Sequence, residues 1–141
     1  THRGTLFPYT TLFRSPYLVS RTLDPDLNEV SSTSTKVART PIDSATASSL
    51  SSLMQTAVAE GTGTSAQVSG VQVAGKTGTA ETGTDSGPTT WFVGFAGTDI
   101  DKPEIALAVV LDGNAETEDG ATGGKIAGPV AAQVIDAAVN Q

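Results

Sequence analysis

Residues 71–81 read VQVAGKTGTAE, and this stretch decides how the sequence folds. Before it, apolar residues recur at helical spacing as far as the Gly/Thr-rich turn GTGT at residues 61–64, and after it the pattern becomes that of extended strands. Residues 90–96 and 104–111 have the same extended character, and loops rich in Gly, Asp and Pro separate them. Because these connections are short, the sequence predicts three antiparallel strands.

The third predicted strand, residues 104–111, is almost continuously apolar. Strands of this composition usually have both faces buried, so we expect helices to cover it on both sides. One helix is predicted before the three strands and another after them. This plan of three antiparallel strands flanked by helices belongs to the α+β class.

The first predicted helix has recognisable start and stop signals. Thr40 can cap it, Pro41 suits the first helical position, and Asp43 lies three residues after the cap in a variant of the capping box. Gly61 is expected to end the helix in the left-handed conformation. The apolar residues predicted to form its packed face are Ile42, Leu50, Leu53, Met54, Ala57 and Val58.

The last predicted helix follows the pair Gly123 and Gly124. Pro129 is compatible with it only near the first turn. The residues predicted to form its apolar stripe are Ile126, Val130, Val134, Ile135 and Ala138.

Composition excludes several classes of function. The 141 residues contain no Cys and one His, His2, which excludes a disulfide scaffold, a Cys nucleophile and a His-rich or thiolate metal site. The formal net charge of −7 and the scattered basic residues argue against a nucleic-acid partner. We therefore predict no metal, no cofactor and no nucleic acid.

The first fifteen residues differ from the rest of the chain. They contain the near-repeat TLFPYT and TLFRS at residues 5–15, which is similar to read-through of a sequencing adapter. We interpret residues 1–15 as an assembly artefact and residues 16–141 as part of a larger domain. Residues 16–19, PYLV, are suited to a short strand, and residues 31–35 to a hydroxyl-rich connector.

The candidate site is the run Lys76, Thr77, Gly78 and Thr79. An acyl-transfer site acting on a peptide carboxylate needs a cation, hydroxyl donors and a backbone N–H aimed at the developing oxyanion, and this run can supply all three. Gly78 lets a ligand approach the strand edge closely. Strand alternation, however, places the two threonines on one face and Lys76 on the other. Taken alone, Lys76 is better explained as an ordinary solvent-exposed lysine at the strand end, and Gly78 as an ordinary bulge or turn glycine.

Several segments in order resemble the C-terminal part of class B penicillin-binding protein transpeptidase domains, most closely the penicillin-binding protein A type of actinobacteria. The matching segments are residues 61–66, 73–81 and 91–96, the glycine pair at 123 and 124, and the helix containing Pro129. The resemblance covers residues 16–141. It implies part of the transpeptidase fold that penicillin-binding proteins share with serine β-lactamases.

The resemblance also implies an activity. The parent protein is expected to be a D,D-transpeptidase that cross-links peptidoglycan stem peptides through an acyl-enzyme on a serine and that β-lactams acylate. Lys76 would be the catalytic lysine of the strand, and the Thr79 amide would form half of the oxyanion hole. Thr77, Gly78 and Thr79 would bind the carboxylate of the substrate or the β-lactam.

Two motifs of that family are missing from the sequence. No Ser-x-x-Lys occurs, since Thr33 stands three residues before Lys36, and no Ser-x-Asn occurs either. The resemblance therefore implies that the nucleophile lies upstream, and we expect this fragment to be inactive by itself. It further implies an upstream membrane anchor, an extracytoplasmic location, a glycosyltransferase partner, and two more sheet strands outside this sequence.

Three alternatives remain open at this stage. A serine β-lactamase or D,D-carboxypeptidase would share the fold and the Lys-Thr-Gly strand, and so would a non-catalytic β-lactam sensor domain. A secreted Ser/Thr-rich binding module would account for the many hydroxyl residues. That module would not account for the run at residues 76–79 followed by WFVGF at residues 91–95.

Overall fold

The computed structural model describes residues 13–14, 17–34, 37–39, 41–81, 87–113 and 120–140. These residues form seven strands, two α-helices and one 3-10 turn. The strands are β1 (Phe13–Arg14), β2 (Arg21–Leu23), β3 (Glu29–Ser32), β4 (Val37–Arg39), β5 (Gln72–Ala80), β6 (Thr89–Gly97) and β7 (Ile105–Leu111). The helices are α1 (Ser44–Ala59) and α2 (Ala127–Val139), and the 3-10 turn is Thr64–Ala66.

The main sheet is antiparallel in the order β5-β6-β7, which confirms the three predicted strands. Thr77 pairs with Phe92, and Lys76 pairs with Val93. Paired residues lie on the same face of the sheet, and successive residues of a strand lie on opposite faces. We call the face carrying Thr77 and Phe92 the inner face, and the face carrying Lys76 and Val93 the outer face. The α+β class is likewise confirmed.

The hydrophobic core lies between the inner face and α2, and the C-terminal end of α1 and the 3-10 turn also contribute to it. Its centre is Phe92, whose fully buried ring lies so close to Gly75 that a Cβ on that glycine would overlap it. The buried core residues are Val58, Ala66, Val73, Phe92, Ala96, Ala127, Ala131 and Ile135. Burial of this apolar surface holds α2 on the sheet.

Helix α2 packs through a different stripe from the predicted one. Its buried residues include Ala127, Gly128 and Ala131 together with Ile135, whereas Val130 and Val134 are 37% and 42% exposed. Gly128 lies against the 3-10 turn, where a Cβ would overlap the Ser65 hydroxyl, and Ala127 and Ala131 belong to the core cluster beside it. The apolar periodicity identified the helix, but the prediction of Val130 and Val134 in its packed face was wrong.

Helix α1 begins later than predicted. Its N-cap is Asp43, whose carboxylate accepts a hydrogen bond of 2.7 Å from the Thr46 amide, and Ser44 is the first helical residue. Thr40, the predicted cap, lies outside the described residues. Asp43 takes the role because its side chain is the one that reaches the exposed amides of the first turn.

The end of α1 also differs from the prediction. The described glycines with positive φ are Gly70, Gly87 and Gly120, so Gly61 is not a left-handed stop. The chain instead folds back on the last helical turn, and the Gly63 amide donates to the Ala57 carbonyl at 3.0 Å. Glycine suits position 61 because a Cβ there would lie 2.8 Å from the Ala57 carbonyl oxygen.

Helix α1 lies on the outer face, where it contacts β5 and buries Ala74. Leu50 and Leu53, two members of its predicted packed face, are exposed. A groove of about 490 Å³ separates α1 from the outer face of β6 and β7, and its lining includes Leu50, Met54 and Val93. The α1 helix therefore covers only one edge of the outer face.

Strand β7 is covered on one face only, so the prediction that both of its faces are buried was wrong. Ile105, Leu107 and Val109 point towards α2, whereas Val110 is exposed on the outer face. The physical reason is that α2 lies over β7 on the inner face, and no described element covers it on the outer face.

The residues before α1 form two small antiparallel pairs, β1 with β4 and β2 with β3. The strand predicted at residues 16–19 is not observed over its described part, 17–19, because the strand begins at Arg21. The connector predicted from residue 31 instead contributes Ser31 and Ser32 to β3. The β2–β3 turn contains Leu27 with a φ of 67° and is closed by hydrogen bonds from the Asp26 and Asn28 amides to the Asp24 carboxylate.

The interpretation of residues 1–15 as an artefact stays a prediction, since only Phe13 and Arg14 of that segment are described. Neither described helix is long and apolar enough to cross a membrane.

We predict that Gly75→Ala lowers the free energy of unfolding by about 2 kcal/mol, because the new methyl group overlaps the end of the Phe92 ring. Urea unfolding followed by the fluorescence of Trp91 measures this change. The control is a double-mutant cycle with Phe92→Leu, which removes the overlapping ring atoms. The double variant should be more stable than the sum of the single effects predicts, and strict additivity would contradict the contact.

The capping role of Asp43 makes α1 sensitive to acid. Hydrogen bonds from the Thr46 amide and side chain lower the pKa of the Asp43 carboxyl, so its contribution to stability is complete above the unfolded-state pKa and is lost as pH falls through the folded-state pKa. We expect wild-type stability to decrease below about pH 4 relative to Asp43→Asn, which caps without titrating. Urea titrations followed by helical circular dichroism test this, and a pH-independent difference would contradict it.

Candidate active site

The candidate residues lie in the second half of β5, at an edge of the main sheet. Strand β5 pairs with β6 along one side, and no described strand pairs along the other. Lys76 and Thr79 are exposed, whereas Thr77 is only 9% exposed. An extended ligand can therefore approach these residues along the open edge of β5.

Lys76 and the two threonines lie on opposite faces, as strand alternation predicts. Thr77 pairs with Phe92 and Thr79 with Thr90 on the inner face. The Lys76 stem curls back over the strand, and its Nζ donates to the Thr77 carbonyl at 2.5 Å. The structure thus brings the Lys76 ammonium to the backbone of the motif, but it does not bring it to the threonine hydroxyls.

Each threonine hydroxyl of the site has a partner from another part of the chain. Thr77 Oγ1 lies 2.6 Å from Thr62 Oγ1, in the turn after α1. Thr79 Oγ1 accepts a hydrogen bond of 3.2 Å from the Gly123 amide, in the turn before α2. Two turns that are distant in sequence therefore contact the same face of β5.

The glycine pair allows this close approach. A Cβ on Gly123 would overlap the carbonyl oxygens of Gly78 and Trp91, and a Cβ on Gly124 would overlap the carbonyl oxygen of Thr62. The turn therefore rests directly on the backbones of β5 and β6.

A further side chain joins the two turns to each other. The Ser65 hydroxyl, in the 3-10 turn, donates to the Gly124 carbonyl. The Gly128 amide of α2 donates to the Gly123 carbonyl at 2.8 Å, which connects the same turn to the helix. These contacts hold the Thr62 turn, the glycine turn and α2 together.

Sequence reasoning missed Thr62 and Ser65 as contributors to the site. Both lie in residues 61–66, a segment that the sequence identified as a turn and as part of the family resemblance, without a role in the site. No local signal in the sequence could have identified them, because their hydrogen-bond partners are 15 and 59 residues away.

The adjacent aromatic residues Trp91 and Phe92 lie on opposite faces of β6 and differ in burial. Phe92 is fully buried, and Trp91 is 38% exposed on the outer face beside Gly78. No group of His, Cys, Asp and Glu side chains in the described segments could hold a metal ion.

Comparison with protein families matches residues 9–136 to the penicillin-binding protein transpeptidase domain. The chain belongs to this family. The fold class and the family resemblance derived from the sequence are both confirmed. The assignment of individual site residues remains a prediction for this transpeptidase domain.

This chain is similar to two curated mycobacterial proteins. It is 39% identical over 129 residues to the peptidoglycan D,D-transpeptidase PbpA of Mycobacterium tuberculosis, covering 88% of this chain and 25% of that protein. It is 36% identical over 129 residues to PbpA of Mycolicibacterium smegmatis, covering 89% of this chain and 26% of that protein. The chain thus spans about a quarter of the length of these relatives.

Solved structures show the same relationship. The ceftriaxone acyl-enzyme complex of penicillin-binding protein A from M. tuberculosis superposes with a TM-score of 0.75 and 36% identity, covering 91% of this chain and 28% of that one. A further crystal structure of that protein gives a TM-score of 0.72 and 37% identity over 91% of this chain and 28% of that one.

We predict that Gly123→Ala lowers the free energy of unfolding by about 2 kcal/mol or more, because its methyl group overlaps backbone oxygens that cannot move aside. The turn should also move off β5 and break the hydrogen bond from the Gly123 amide to Thr79. Urea unfolding and the amide chemical shifts of residues 77–79 measure the two effects. Gln133→Ala, at an exposed position of α2, is the control and should leave both nearly unchanged.

Proposed function

We propose that this chain supplies the carboxylate-binding strand of a serine-type peptidoglycan D,D-transpeptidase, with the serine nucleophile located elsewhere in the parent protein. The observation that carries the proposal is the pair of hydroxyls of Thr77 and Thr79 on one face of an open strand edge, each with a fixed partner. The family membership and the names of the mycobacterial relatives support it.

The residues of β5 have distinct roles in the proposed reaction. The hydroxyls of Thr77 and Thr79 bind the terminal carboxylate of a stem peptide and orient its scissile bond. The serine oxygen attacks the carbonyl carbon, and the Thr79 amide stabilises the oxyanion that forms on the carbonyl oxygen. Collapse of this intermediate releases the terminal residue as the amine and leaves an acyl-enzyme, which the amine of a second stem peptide resolves.

Lys76 and Gly78 complete the proposed site. The Lys76 ammonium adds positive charge beside the motif backbone and attracts the carboxylate of the substrate. Gly78 leaves the outer side of the strand edge open, because it has no side chain beside Trp91 on that face.

The proposal extends to β-lactams, which carry a carboxylate and a reactive carbonyl. Solved relatives include penicillin-binding protein A from M. tuberculosis as acyl-enzyme complexes with ceftriaxone, imipenem and penicillin G. We propose that the parent protein is acylated in the same way. We also propose that it acts at the extracytoplasmic face of the membrane, anchored by an upstream segment, with a glycosyltransferase as partner.

This chain by itself is proposed to be inactive. Its sequence contains neither Ser-x-x-Lys nor Ser-x-Asn, so it lacks the nucleophile that the family requires. Loss of a nucleophile removes the covalent step altogether, whatever the quality of the remaining carboxylate site.

Labelling with a fluorescent penicillin tests the proposed function. The full-length protein encoded by the reading frame that contains this chain should form a stable adduct, whereas the 141-residue chain should form none. In the full-length protein, Lys76→Ala and Thr79→Val should each reduce the acylation rate at least about tenfold. Lys102→Ala, which removes an exposed lysine in the loop after β6, is the matched control and should label normally.

Three outcomes would contradict parts of this proposal. A stable adduct on the isolated chain would show that a nucleophile lies within it. Absence of labelling in the full-length protein would contradict the proposal that it is acylated by penicillin. Rapid loss of the label by hydrolysis would instead favour a serine β-lactamase or D,D-carboxypeptidase.

A further inference from the structure

The hydroxyl of Thr62 lies 2.6 Å from that of Thr77, yet Thr62 is outside the strand that carries the proposed site. The Thr62 turn is fixed from two directions. On one side, the Gly63 amide donates to the Ala57 carbonyl at 3.0 Å. On the other side, Ser65 donates to the carbonyl of Gly124. Gly124 is so close to the Thr62 carbonyl oxygen that a Cβ on this glycine would overlap it. Thr62 is therefore held in place independently of its contact with Thr77.

The direction of the Thr62–Thr77 hydrogen bond determines what Thr77 can do. Each hydroxyl has one proton, so only one of the two can donate across the 2.6 Å contact. If Thr77 donated to Thr62, it would have no proton to offer a carboxylate. If Thr62 donates, the Thr77 proton is available for a ligand.

Thr79 provides the parallel case. Its Oγ1 accepts from the Gly123 amide, a group that can only donate, so the Thr79 proton must point elsewhere. The same polarity at Thr77 would leave both hydroxyls as donors on one face of the strand, which matches the acceptor oxygens of a carboxylate.

We propose that Thr62 is a positioning residue whose hydroxyl donates to Thr77 Oγ1, fixes the Thr77 side chain and directs the Thr77 proton to the carboxylate of the bound ligand. The carboxylate part of this inference rests on the proposed function. The fixing of the Thr77 side chain does not, because it follows from the hydrogen bond alone.

The first experiment measures the Thr77 side-chain conformation in this chain without any ligand. Three-bond couplings to the Thr77 methyl group report χ1 by NMR. Wild type and Thr62→Ser should show one rotamer, because both retain the hydroxyl, whereas Thr62→Val should show averaged couplings. Thr64→Val, in the same turn and also exposed, is the matched control and should keep one rotamer. A single unchanged rotamer in Thr62→Val would overturn the positioning role.

The second experiment measures acylation of the full-length protein by benzylpenicillin and by its methyl ester, which lacks the carboxylate. Thr62→Val should slow acylation by benzylpenicillin about tenfold, which is the effect of one lost hydrogen bond. Thr62→Ser retains the hydroxyl and should keep the wild-type acylation rate. The methyl ester should acylate wild type, Thr62→Val and Thr62→Ser at the same rate. An equal loss with acid and ester would overturn the carboxylate role, because it would indicate a general structural effect.

The two experiments separate this inference from the proposed function. A wild-type protein that penicillin does not acylate contradicts the proposed function and the carboxylate role together. The NMR couplings still decide whether Thr62 positions Thr77.

Discussion

The close approach of a two-glycine turn to the backbones of β5 and β6 is the constraint on which the arrangement of this structure depends. Gly123 and Gly124 leave no room for a Cβ, since each faces a main-chain oxygen of another element. From this turn the Gly123 amide reaches Thr79, the Gly124 carbonyl accepts from Ser65, and the Gly123 carbonyl accepts from the first turn of α2. The turn formed by Gly123 and Gly124 therefore positions β5, α2 and the turn after α1 relative to one another.

The same close packing explains the composition of the core. Ala127 and Ala131 are fully buried, Gly128 lies against Ser65 of the 3-10 turn, and the large fully buried apolar side chains are Phe92 and Ile135. Small residues on α2 allow this close approach, because the space beside the helix is already filled by the Ser65 side chain and the core residues. Phe92 fits because Gly75 and Gly94 leave room for its ring across two neighbouring strands.

The two faces of the main sheet are covered unequally. The inner face is closed by α2, whereas α1 covers only β5 on the outer face and leaves Trp91, Val93 and Val110 partly exposed. The residues of the proposed site are divided between the two faces. The threonine hydroxyls lie on the closed face, where other elements can fix them, and Lys76 lies on the open face, where its long stem has room to curl back to the strand backbone.

Strand periodicity, the helical apolar pattern and the run at residues 76–79 were sufficient to predict the three central strands, both helices and the α+β class. These features depend on near neighbours in the chain, which is why the sequence by itself determined them. It could not select Ala131 over Val130 for the packed stripe of α2, or show that β7 has one uncovered face, because both depend on how closely other elements approach. Only the tertiary structure decided that Thr62 meets Thr77 and that Gly123 meets Thr79, since hydrogen bonds spanning 15 and 44 residues leave no local periodicity in the sequence.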